Sequence, residues 1–316
     1  MHRRALLSVC VTGLTVTAGC LDTGFGSDCQ RGANLRLESV TAAEVADRES
    51  DPVAALSPPE HDAVSAARRG EVATLWATSA PLSGVDHLVD AGTYYAVTTD
   101  LVSTVERTGY ALSLDTERAE DVPTDRRVVF DDLPAVDRTA LYVALGFPGP
   151  REIERFDRAR SVSIGGTLVY PDGDAESRSE LVADPPYEAL RIGGRDFRFD
   201  LGDPRPKTVE THRIELTEVS GSAADFADIV LDRSGIHLDP SDLSAEQRDI
   251  VEAAIDDGYD ECAPYSDAYA DLQVTLGREL ERTRTADGSA TDAPDRVDYA
   301  DYEAEWYAVS LSEYVV

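Results

Sequence analysis

Lysine is almost missing from this chain. Lys207 stands alone among 29 basic residues, set against 61 acidic ones for a formal charge of -32. Nucleic-acid phosphates repel so acidic a protein, and no basic, aromatic-interleaved patch offsets that, so a nucleic-acid partner is excluded. Beyond the N-terminal segment there is no apolar run near the roughly 20 residues that a transmembrane helix needs. Gly-rich phosphate loops, His-Glu-x-x-His, Gly-x-Ser-x-Gly and Cys-x-x-Cys patterns are missing too. No cofactor and no familiar catalytic machinery is therefore assigned.

What is present starts with the acids. They are spread along the whole chain among apolar segments, and 42% of the residues are hydrophobic. That dispersal describes a solvated surface on a folded protein, whereas a disordered tail would concentrate its charge. At molar salt the Debye length falls to about 3 Å, which screens the self-repulsion of such a surface. Scarcity of lysine, with its long apolar stem, points the same way. The composition predicts a high-salt habitat.

The first residues read as an export signal. Arg3 and Arg4 give a positive start, Ala5 to about Val16 is apolar, and Thr17-Ala18-Gly19 leads into Cys20. Small residues directly before a cysteine form a lipobox, in which that cysteine becomes the lipid-bearing N-terminus. The arginine pair fits either a twin-arginine or a general secretory route. The expected product is held at Cys20 on the extracellular face of the cell membrane, anchored to the bilayer without spanning it.

Cys10 leaves with the signal and Cys20 takes the lipid, so Cys29 and Cys262 remain. An even pair in an oxidising compartment predicts a disulfide. A two-cysteine metal site is the alternative, but no nearby histidine completes the ligand spacing. No metal is expected.

The chain also repeats itself. Leu56-Ser57-Pro58-Pro59-Glu60 is followed by Asp62, Val64, Ala66, Ala67 and Gly70; Leu243-Ser244-Ala245-Glu246-Gln247 is followed by Asp249, Val251, Ala253, Ala254 and Gly258. Each stretch reads as a helix start, with serine as N-cap, Glu60 or Gln247 closing a capping box and Pro58 at the first helical position. Gly70 and Gly258 suit the helix ends. Leu35, Leu37 and Val40 upstream match Ile214, Leu216 and Val219, and Tyr94 to Thr98 downstream matches Trp306 to Ser310. Strands are also expected at Val128 to Phe130, Val162 to Tyr170 and Phe197 to Leu201, with turns at Asp172-Gly173 and Gly193-Gly194. Leu133 to Gly146, with Asp137, Leu141 and Ala144 in register, offers a degenerate third copy.

The lipobox, the Leu-Ser-x-x-Glu helix start and the Gly92-Thr93-Tyr94-Tyr95 strand resemble those of uncharacterised lipobox-containing surface lipoproteins of halophilic archaea. The resemblance implies the cell-surface address and transfers no functional residues.

Candidate chemistry is sparse. His61, His87, His212 and His237 belong to different elements, and His212 shares the alternating face of Ile214 and Leu216. Asp239, Asp242 and Glu246 precede one helix, while Asp256, Asp257, Asp260 and Glu261 follow it, without the spacing of a calcium loop. Trp76, Trp306 and the tyrosines either line a ligand groove or fill a core.

The expected fold is α+β, with mainly antiparallel strands, short helices and two diverged copies of a strand–helix–strand unit, a third copy remaining open. The expected division is signal 1–19, lipidated tether 20–32, first unit 33–130, strand-rich middle region 131–207 and second unit 208–316. The expected role is noncatalytic binding of an unidentified protein or small molecule at the envelope. The alternative is a secreted hydrolase using carboxylates or a Ser/His site.

Overall fold

A computed structural model describes residue 29 and residues 31–117, 119–146, 163–182, 185–277 and 297–315. The expected signal and Cys20 lie outside them. In chain order the elements begin with β1 (Arg31–Ser39), α1 (Ala42–Glu49), β2 (Asp51–Pro52), α2 (Pro58–Arg68), β3 (Ala73–Ala77), β4 (His87–Asp90) and β5 (Thr93–Asp115). Next come β6 (Arg127–Val129), α3 (Ala135–Leu145), β7 (Ser163–Val169), α4 (Gly173–Ser177), β8 (Ala189–Ile192) and β9 (Arg195–Ser220). The last group is α5 (Ala223–Ser234), β10 (Gly235–His237), α6 (Ala245–Asp256), β11 (Tyr259–Cys262), α7 (Asp267–Thr275), β12 (Tyr299–Tyr302) and β13 (Glu305–Val315). The fold is α+β, with mostly antiparallel strands.

Two compact units divide the chain. The first takes residues up to Arg48 together with those from Ala223 onward, and the second takes Glu49–Ser222. The linear division expected from sequence likeness differs from this one, and its boundary at residue 207 falls inside the continuous strand β9.

The first unit holds a five-stranded sheet in the order β10-β12-β13-β1-β11. Its first pair is parallel and the others are antiparallel. Within the second unit, the eight-stranded sheet carries the same five-strand pattern at each end. One end runs β2-β4-β5-β9-β3 and the other β6-β8-β9-β5-β7, again with only the first pair parallel. The long strands β5 and β9 pair along almost their whole lengths, with register shifts at Tyr94/Tyr95, Leu101/Ser103 and Tyr110/Leu112.

Local chemistry repeats with the topology. All three patterns contain a two-residue hairpin turn with positive φ at both positions: Ala91 and Gly92 (49° and 82°), Gly193 and Gly194 (57° and 85°), and Glu303 and Ala304 (54° and 64°). Such turns follow the native twist of paired strands. Each pattern also has a helix entered through a leucine: α2 after Leu56, α3 after Leu133 and α6 after Leu243. The Ser244 amide donates to Gln247 Oε1 at 2.9 Å while the Gln247 amide donates to Ser244 Oγ at 3.1 Å, closing a capping box. Glycines at positive φ follow the helices at Gly70, Gly146 and Gly258.

Each pattern buries its own core. Val64, Leu75, Leu88 and Ile214 pack at the first end of the long sheet, and Leu114, Leu141, Leu168 and Phe197 at the other. In the first unit the equivalents are Leu35, Val251, Ala254 and Tyr307. The α3–β7 contact is so close that a Cβ on Gly166 would sit 1.9 Å from the Ala144 carbonyl oxygen. Only glycine fits there.

Chain order and spatial order part company at one position. Reading from the N-terminus, the strands that open the copies are β1, then the last part of β5, then the last part of β9. The middle copy keeps its own opening strand, since residues 109–115 of β5 pair with β7. The outer copies do not. Strand β1 lies between β13 and β11, whereas residues 210–214 of β9 lie between β5 and β3. The opening strands of the first and last copies have therefore changed places.

Candidate functional site

A concavity lies within the second unit. It is a pocket of about 400 Å³ built from three pieces of chain. The approach to α2 supplies Leu56, Ser57 and Glu60, strand β3 with the turn-rich loop behind it supplies Trp76 and Thr78 to Ser83, and the end of α3 supplies Tyr142 and Gly146. Helix capping shapes the first wall. The Ser57 amide and hydroxyl both donate to Glu60 Oε2, at 3.1 and 2.6 Å. The loop behind β3 turns at Leu82, which has φ of 52° although it is not glycine.

The pocket's chemistry is one-sided. Its lining residues include the acidic Asp51 and Glu60, the aromatic Trp76 and Tyr142, and the hydroxylic Thr78, Ser79 and Ser83, with no arginine, lysine or histidine. Tyr142 is held edge-on by Phe130, with ring centroids 5.2 Å apart. Burial, helped by the charge of Asp131, raises its phenol above the usual tyrosine range. It therefore presents an intact hydroxyl at neutral pH. A volume in the few-hundred Å³ range with apolar rings and a few polar groups is typical of a small-molecule site.

A buried polar network sits below α3. Asp137 is fully buried; its Oδ1 accepts from the Tyr170 hydroxyl at 2.6 Å and its Oδ2 from the Glu180 amide at 2.9 Å. Burial first, and then the bond to Asp137, raises the Tyr170 phenol far above its ordinary value. The acid closes the network and has no exposed face toward substrate, so its role is structural.

The histidines are not gathered into the pocket. His61 is exposed beside Asp62, and His87 lies on β4. His212 is buried on β9, with Nε2 2.9 Å from Glu210 Oε2, and it sits opposite Leu75 and Leu101 on the neighbouring strands. In the first unit His237 Nδ1 lies 2.7 Å from Asp301 Oδ2, with the Trp306 ring 5.4 Å away.

Among the described residues, no group of three or more His, Cys, Asp or Glu side chains is placed to hold a metal ion. Two members of the acidic runs serve local structure. Asp239 accepts from the Ser241 amide at 2.8 Å, and Glu261 accepts from the Tyr259 hydroxyl and from the Ser266 amide and hydroxyl. Cys29 and Cys262 are joined in the first unit, with a Cα–Cα distance of 5.6 Å. The bond extends the β1–β11 ladder, in which Gly32 faces Cys262. No helix among the described residues is long and apolar enough to cross a membrane.

Of the aromatic candidates, Trp76 lines the pocket and Trp306 lies on β13. Tyr142 and the 78–83 loop escape sequence reasoning, because nothing in a linear pattern says that the end of α3 meets the loop behind β3. Comparison with protein-family models, with curated proteins and with solved structures finds no match.

Proposed function

We propose that the chain is a surface lipoprotein of a halophilic archaeon, tethered through Cys20, that binds a small organic cation in the pocket between α2, β3 and α3. The observation that carries the binding reading is a pocket lining that brings together two acidic and two aromatic residues without a basic side chain. Rings attract a cation through their quadrupole, and this attraction strengthens as water is excluded. An anionic ligand would meet repulsion from Asp51 and Glu60. The Ser57–Glu60 contact has the geometry of a helix cap, which accounts for it without a nucleophile and base. A noncatalytic role is accordingly favoured over the hydrolase alternative.

Choline and its uncharged isostere 3,3-dimethyl-1-butanol test the ligand class. The readout is Trp76 fluorescence in a Trp306→Phe background at constant molar salt. Choline should shift the emission saturably, with the isostere weaker by about tenfold, which corresponds to about 1.4 kcal/mol. Trp76 is lost as a reporter in its own variant, so Tyr142→Ala is the companion change and should abolish the response. Equal binding of both compounds, or no response to choline, would overturn the cation reading. The address is tested separately: the N-terminal peptide of protein recovered from the membrane fraction should begin at a lipid-bearing Cys20, whereas an unmodified Cys20 would remove the lipid tether.

A further inference from the structure

We infer that the place between β11 and β13 accepts strand β1 from a second copy of this chain, giving a strand-exchanged dimer whenever the Cys29–Cys262 bond is open. This interaction is independent of the ligand pocket.

Three observations carry it. First, the same sheet position is filled in three ways within one molecule: by β1 in the first unit, by residues 210–214 of β9 at one end of the second unit, and by residues 109–115 of β5 at the other. Only the middle copy supplies its own strand, so strand and slot are interchangeable parts of this fold. Second, β1 is inserted into the interior of a sheet made otherwise from residues after Ala223, and the chain after β1 leads into the other unit. Third, what holds β1 would be reproduced by an identical strand from another molecule. It has backbone pairing with β13 from Arg31 to Ser39 and with β11 from Gly32 to Leu35. Ala33, Leu35 and Leu37 are buried beneath it.

Because the bonds and contacts are the same in both arrangements, concentration decides between them, and a reciprocal exchange closes as a two-fold dimer. The disulfide removes the choice. It ties the start of β1 to the edge of its own slot, so the oxidised monomer cannot release the strand.

The test uses the wild-type sequence. Equal amounts of unlabelled and ¹⁵N-labelled full-length protein are unfolded and reduced, mixed, and refolded in molar salt at low and at high protein concentration. Oxidised glutathione then converts the two thiols to the disulfide and leaves as two molecules of reduced glutathione. The monomer and dimer fractions are separated by size and digested, and the Cys29–Cys262 peptide pair is weighed. Exchange predicts pairs with one light and one heavy partner, approaching half of all pairs in the dimer fraction and vanishing on dilution. Pairs that are only all-light or all-heavy at every concentration would overturn the inference. So would mixed pairs confined to larger aggregates. Native protein mixed without unfolding should give none, and mixed pairs there would show that the disulfide does not lock the strand.

Discussion

The sheet of the first unit and the two ends of the second unit's sheet share one topology but hold their fourth strand by opposite means. In the second unit β5 is the third strand at one end and the fourth at the other, and β9 does the reverse. Each fourth strand is thus the continuation of a third strand already locked in a ladder. In the first unit the third and fourth positions are β13 and β1, from opposite ends of the chain. No continuous strand can tie them, and here the fourth strand is instead bound covalently to its other neighbour, β11, by the disulfide. Covalent closure is placed where backbone continuity is lacking.

One tryptophan in each unit, Trp76 and Trp306, lets this contrast be measured. The largest expected effect is on the disulfide. Reducing it in dilute protein should lower the stability of the first unit by on the order of 4–5 kcal/mol from loop entropy. Urea unfolding followed at Trp306 should shift while the Trp76 transition stays put. If both move together, the units share one cooperative transition and the contrast fails.

Gly166→Ala attacks the other side. Its new methyl meets the backbone of Ala144, with no flexible side chain to give way. Overpacking should cost about 3 kcal/mol, read at Trp76.

Acid separates the units more gently. Asp196 is held below the usual carboxylate range, first by its hydrogen bonds from Arg191 and then by Arg127. A depressed folded value means that this stabilisation is complete above the unfolded value and is lost as pH falls through the folded one. Asp196→Asn should therefore lower the second unit's stability at neutral pH, read at Trp76, by about 1 kcal/mol. It should also flatten its decline below about pH 4.

The smallest effect is a gain. Glu303 and Ala304 occupy the left-handed region that glycines occupy in the equivalent turn at Gly193-Gly194. Ala304→Gly should stabilise the first unit by roughly 1 kcal/mol, seen as a higher Trp306 midpoint. A loss instead would mean that unfolded-state entropy outweighs the relieved crowding.

The repeat was legible because capping chemistry is local. A serine followed three residues later by Glu or Gln announces a helix start, and α2 and α6 begin where Ser57 and Ser244 predict. Val128 to Phe130 gave a strand only through Val129, with Phe130 opening a short 3₁₀ turn. The strand exchange was not legible, since Leu35-x-Leu37 and Ile214-x-Leu216 present the same alternating face and neither records which sheet receives it. The pocket was half legible. Trp76 stood out as a rare aromatic, but Asp51, Glu60 and Tyr142 look like ordinary cap and core residues until tertiary structure brings them to one wall.

The interleaved first unit also sets a timetable for synthesis. Strand β1 is among the first described segments to be made, yet β13, its longest partner, starts only at Glu305. At ordinary elongation rates β1 waits on the order of tens of seconds for that partner. All of Glu49–Ser222 is made within that interval, so the second unit can be complete while β1 still exposes an unpaired edge and the face of Leu35 and Leu37. While it waits, β1 is an unpaired strand with an apolar face, the kind of element through which a nascent chain aggregates.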